Sequence, residues 1–71
     1  MTKVQIRFQL QTPLSENELA RLADARGVYG MLRFDIDETA GRLTVEYDAT
    51  RLDPNEVEAV LHRAGIPAVK E

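Results

Sequence analysis

The chain has 71 residues, nine basic and twelve acidic side chains, one histidine and no cysteine, for a formal net charge of -3. At this length it forms one small domain, residues 1–71, whose single core is so limited that local signals must agree with the fold. The lack of cysteine excludes a disulfide framework, a thiolate metal site, a redox pair and a cysteine nucleophile, and charges of both signs mixed along the chain advertise neither nucleic acid nor an anionic membrane.

The amino end alternates apolar and polar residues instead of presenting the continuous apolar run of a secretory signal, and no stretch reaches membrane-spanning length. The cytoplasm is the expected location. Val4, Ile6, Phe8 and Leu10 alternate with Gln5, Arg7, Gln9 and Gln11, the period of a strand buried on one face. Thr12-Pro13 breaks that strand. The spacing then predicts a helix over 16–26 with Leu19, Leu22 and Ala23 inward, capped by Ser15 with Glu18 three residues on, stapled by Leu14 against Leu19, and closed by a left-handed Gly27. A second strand is predicted over 28–36 with Leu32, Phe34 and Ile36 on the core face, where Gly30 interrupts the alternation and marks a bulge. A turn over 37–42 uses Gly41, and Leu43, Val45 and Tyr47 make a third strand. A second helix is predicted over 54–64, capped by Asp53 with Glu56 and opened by Pro54. Residues 66–70 form a short fourth strand that Pro67 assigns to an edge.

The helix instruction occurs twice. Leu14-Ser15-Glu16-Asn17-Glu18-Leu19 returns 38 residues later as Leu52-Asp53-Pro54-Asn55-Glu56-Val57, and Gly27-Val28 returns at the same offset as Gly65-Ile66. Two strand-helix-strand halves with one apolar sheet face lead to an α+β, ferredoxin-like βαββαβ sandwich: a four-stranded antiparallel sheet, its first and third strands central, with two helices on one face. The expected core is Val4, Ile6, Phe8, Leu10, Leu19, Leu22, Leu32, Phe34, Ile36, Leu43, Val45, Tyr47, Val57, Val60, Leu61 and Ile66.

Gly27-Val28, the segment Arg42-Leu43-Thr44-Val45-Glu46-Tyr47-Asp48, Asp53-Pro54 and Ala64-Gly65-Ile66-Pro67 together resemble the heavy-metal-associated domain family of copper chaperones and metal-transporting ATPase amino-terminal domains. The resemblance covers nearly the whole chain and implies that family's fold. It does not carry the family's function. The Met-x-Cys-x-x-Cys motif that the family places between the first strand and first helix is missing, and counting back from Gly27 its cysteines fall near Gln11 and Leu14. Soft metals need thiolate or thioether donors, so no soft metal and no cofactor is expected. The second strand is also about two residues longer than the family's spacing, through Tyr29-Gly30-Met31. Regulatory ACT domains share the order of elements but are less similar, because the first loop here has no glycine.

Other chemistry is thinly represented. His62, with Glu58 one turn earlier, is read as a helix-end histidine and not a ligand, since a zinc site needs three or four converging donors. Asp35, Asp37 and Glu38 lack calcium-loop spacing and read as a solvated strand and turn. Met1 and Met31 are too few for a methionine copper site. Ser15 is the only serine and is occupied as a cap, which leaves a serine-histidine-carboxylate triad without a nucleophile. The four glycines match no phosphate-binding loop. The chain is therefore expected not to be an enzyme.

A surface remains. Gln5, Arg7, Gln9 and Glu46 are expected to tile the open sheet face, which lacks the aromatic platform of RNA-binding sheets. Tyr29, Met31, Arg33 and Asp35 are expected to line the longer edge strand, where a partner or a second copy could add a strand, Tyr29 and Met31 giving apolar contact. The favoured function is a small non-catalytic protein-interaction or assembly module without its family's metal site. The alternative is a degenerate metallochaperone-like domain with weak metal or small-ligand binding.

Overall fold

The computed structural model describes residues 2–71. The chain runs β1 (Lys3–Leu10), α1 (Glu16–Ala25), β2 (Met31–Asp37), β3 (Arg42–Asp48), α2 (Pro54–Arg63) and β4 (Ala68–Lys70). One four-stranded antiparallel sheet has the order β2-β3-β1-β4, so β1 and β3 are central and β2 and β4 are the edges. The β1–β3 register sets Phe8 opposite Leu43, Ile6 opposite Val45 and Val4 opposite Tyr47. These residues share one face because side chains alternate across a strand. Leu22 and Ala25 of α1 and Val57, Val60 and Leu61 of α2 close over that face, and Phe8, Leu43, Val45, Val57 and Leu61 are fully buried. No helix among the described residues is long and apolar enough to cross a membrane.

Both helices begin where their caps dictate. Ser15 Oγ accepts the Glu18 amide at 3.2 Å while Glu18 Oε1 accepts the Ser15 amide at 2.8 Å. Asp53 and Glu56 make the same reciprocal pair at 2.8 and 3.1 Å. Each box satisfies two amides that the first helical turn leaves without intrahelical partners. The helix ends differ. Gly65 takes φ 76°, and the Gly65 amide reaches His62 O while the Ile66 amide reaches Leu61 O, the double closure of a left-handed glycine stop. Gly27, expected to do the same, has no positive φ. α1 runs out through tight turns instead, the Gly27 amide bonding Asp24 O and the Val28 amide bonding Ala25 O.

The positive φ in that half belongs to Gly30, at 103°. A Cβ there would stand 2.9 Å from Leu52 Cγ, and the Gly30 carbonyl accepts the Asp48 amide at 2.8 Å. The segment before Met31 is thus a turn pressed onto the β3–α2 connection, and β2 starts three residues later than the alternation predicts. Its register shifts between Met31, opposite Tyr47, and Arg33, opposite Glu46. Leu32 is the extra residue of this bulge, and the core position assigned to it from sequence goes to Met31.

Several apolar residues expected in the core lie at its margin. Leu19 is 39% exposed, and Val4 and Ile36 are each 36% exposed. They sit at the ends of the sheet or the outer flank of α1, where two ten-residue helices leave it uncovered. Ala25, Leu52 and Ala68 complete the core in their place. β4 begins at Ala68, two residues later than expected. It pairs with β1 only at Phe8, Gln9 and Leu10, and beyond it the Glu71 amide bonds Arg7 O. Among the described residues, no strand neighbours the outer side of this central strand from Lys3 to Ile6.

Candidate functional site

The β1–α1 connection is tied down at each step. The Leu10 amide bonds Gly41 O and the Gln11 amide bonds Pro67 O, both at 2.8 Å, Leu14 packs on the core, and Ser15 caps α1. Beside it lies a cleft of about 400 Å³ lined by Leu10, Gln11, Thr12, Pro13, Leu14, Leu19, Ile36, Glu38 and Gly41. Its wall is mostly aliphatic, with a single carboxylate. The partly exposed Leu19 and Ile36 therefore border one shared concavity.

The residues weighed as ligands are dispersed. His62 Nε2 lies 3.1 Å from Ala68 O, which ties the ring to the start of β4. Asp35 pairs with Arg33, and Asp37 Oδ1 accepts the Ala40 amide at 3.1 Å in the β2–β3 turn. Among the described residues, no three histidine, cysteine, aspartate or glutamate side chains converge.

The open sheet face gathers the polar residues that alternation assigned to it. Register sets Arg33, Glu46 and Gln5 in one row, Asp35, Thr44 and Arg7 in the next, and Asp37, Arg42, Gln9 and Val69 in the third. Gln5, Arg7 and Gln9 are exposed and Glu46 is half-buried. Gln9 Nε2 donates to Gly41 O at 3.0 Å, and Arg42 pairs with Glu71 at 2.9 Å. At the β2 rim Arg33 and Asp35 are well exposed and 3.2 Å apart, an ion pair that contributes little to stability but sets opposite charges along the edge.

Two of the expected edge residues contribute no side chain to that edge. Met31 is buried, because the bulge turns it under the sheet, and it offers no apolar contact to a partner. Tyr29 lies before β2, 70% exposed, with the Arg51 guanidinium 4.7 Å from its ring centroid. That stacked pair spans two separate loops, and nothing in the local sequence of either announces it.

Sequence reasoning also missed Asp48, the one buried acidic residue among the described residues. Its Oδ1 accepts the Thr50 hydroxyl at 2.7 Å, the Thr50 amide at 3.0 Å and the Thr2 amide at 3.3 Å. The Thr50 hydroxyl and amide hold the carboxyl below its ordinary value against the opposing effect of burial, and the Thr2 amide adds to the lowering. The Asp-x-Thr spacing after a strand was the available signal, since aspartate side chains bond backbone two residues on.

Several solved structures share this architecture, three of which follow. Oxidized MerP from Ralstonia metallidurans CH34 superposes with a TM-score of 0.78 at 13% identity, over 99% of each chain. The N-terminal domain of PacS from Synechocystis PCC6803 gives 0.71 at 19% identity, over 96% of this chain and 97% of that one. The copper(I)-loaded first domain of the human copper chaperone CCS gives 0.76 at 22% identity, over 100% of this chain and 96% of that one. At these identities the likeness establishes the fold: the ferredoxin-like fold of heavy-metal-associated domains, here in a chain without cysteine. No family model and no curated protein matches the sequence.

Proposed function

We propose that this chain is a non-catalytic protein-interaction module, built on a metallochaperone-type scaffold but working without a thiolate-held metal. The observation that carries the reading is the β1–α1 connection. In the copper(I)-loaded CCS domain the scaffold holds a metal, whereas here Gln11, Leu14 and Ser15 are engaged in a backbone bond, the core and a helix cap, and none is a soft donor. The contact surface is the open sheet face with the β2 rim. Gln5, Arg7, Gln9 and Glu46 supply adaptable hydrogen bonds, Arg33 and Asp35 set register by charge, and Tyr29 stands at the corner. No cofactor enters this reading.

Two measurements test it together. Adding copper(I) or zinc to tag-free protein is expected to leave the melting temperature unchanged, because only a ligand bound to the folded state raises it. Stoichiometric, submicromolar metal binding would overturn the reading. With a protein partner in hand, Arg7→Glu and Arg33→Glu are expected to weaken the complex and shift its salt dependence; a complex indifferent to both moves the contact off this face.

A further inference from the structure

We infer that the exposed Tyr29–Arg51 pair of one copy seats in the aliphatic cleft beside the β1–α1 connection of a second copy, joining molecules end to end. This goes beyond the open-face reading, because it uses different residues and names the occupant.

The two features lie at opposite ends. Tyr29 lies in the α1–β2 connection and Arg51 in the β3–α2 connection, both at the end where Lys3 faces Asp48, and the cleft lies where Leu10 meets Gly41. β1 separates these ends by seven strand steps, about 23 Å at 3.3 Å per residue, so a chain cannot fill its own cleft. Tyr29 is 70% exposed, an unusual position for a large aromatic, and Arg51 stacks on it at 4.7 Å, which presents an apolar ring and a cation as one knob. Tyrosine and arginine, together with tryptophan, are enriched at the energetic centre of interfaces. The cleft offers what that knob lacks: Leu10, Leu14, Leu19 and Ile36 for the ring and Glu38 for the guanidinium, in about 400 Å³.

Charge favours the same pairing. Among the described residues neither Glu38 nor Arg51 has an ion-pair partner. Glu38 is the single carboxylate lining the cleft, and Arg51 is the guanidinium stacked on Tyr29. Glu38 against Arg51 joins opposite charges in the head-to-tail arrangement, whereas cleft against cleft or knob against knob sets like charges together. Because knob and cleft are different patches the contact is heterologous, and it builds rings or open chains, not a closed two-fold dimer.

The test is the weight-average mass by sedimentation from about 1 μM to about 1 mM. The wild type is expected to gain mass with concentration. Tyr29→Ala, exposed enough to leave the fold intact, is expected to weaken association about tenfold or more. Arg51→Glu alone and Glu38→Arg alone are each expected to stay monomeric, and their equimolar mixture to associate again, since the swapped charges complement across the mixed contact. Arg7→Glu, on the open face, is expected to change nothing. A wild type monomeric at about 1 mM overturns the proposal. So does association that survives Tyr29→Ala, or one lost with Arg7→Glu instead, which would leave the open-face reading standing. Failure of the mixture to recover also overturns it.

Discussion

The Thr50 hydroxyl donates to Asp48 Oδ1 at 2.7 Å, and the Thr50 amide reaches the same oxygen at 3.0 Å. These bonds favour the charged carboxylate, so its pKa in the folded chain lies below the ordinary 3.8. A lowered folded pKa adds stability that is complete above the unfolded value and is lost as pH falls through the folded one. Urea midpoints are therefore expected to drop on acidification below about 4. Asp48→Asn is expected to lower the midpoint at neutral pH and flatten the acid dependence. Equal acid slopes in the two proteins would remove Asp48 from the account.

Gly30 and Gly27 are expected to respond differently to alanine. At Gly30 the substitution meets φ 103° and a 2.9 Å approach to Leu52 Cγ, so a loss of about 1–3 kcal/mol is expected. At Gly27 the nearest atom is Asp24 O at 3.2 Å and φ is not positive. There the entropy removed from the unfolded chain, about 0.4–1 kcal/mol, offsets the tight contact and the net change is near zero. Thermal melts of the two variants decide it.

Replacing either cap, Ser15→Ala or Asp53→Ala, is expected to lose about 0.5–2 kcal/mol. The caps share no hydrogen-bond partner, so the double variant should show the sum of the two losses. A double variant no worse than one single variant would mean that the helices fray as a unit.

Burial separates two leucines of adjoining elements. Leu61 is fully buried, and Leu61→Ala is expected to lose about 2–5 kcal/mol, a large part of the roughly 4–11 kcal/mol available to a domain of this size. Leu19, 39% exposed at the cleft, is expected to lose about 1 kcal/mol or less. Chemical denaturation of both variants compares them directly.

The sequence was most legible where one physical signal acted alone. Both caps, the period of β1 and the single apolar sheet face required no knowledge of the partner element, and the element order and sheet topology followed from them. It was least legible at residues 27–32. There Gly27 and Gly30 competed for one left-handed turn, and the winner was set by Leu52, distant in sequence. Placing the turn at Gly30 delayed β2, exchanged Met31 for Leu32 in the core and turned the Met31 side chain away from the edge. The candidate surface was partly legible for the same reason. Alternation put Gln5, Arg7 and Gln9 on the open face correctly, whereas the Tyr29–Arg51 stack joins loops whose proximity only the folded chain reveals.

The shortness of β4 has a consequence for how the backbone exchanges its hydrogens. Thr2 O accepts from Ala49 beside β3, and Arg7 O accepts from Glu71 beside β4, so even-numbered residues of β1 turn their backbone groups inward and odd-numbered ones outward. Since β4 reaches only Phe8, the outward amide of Gln5 has no strand beside it among the described residues, while its neighbours Val4 and Ile6 are bonded within the sheet. A strand central by topology should thus show deuterium uptake that alternates residue by residue over its first half, fast at Gln5 and slow at Ile6, and becomes uniformly slow from Phe8 onward.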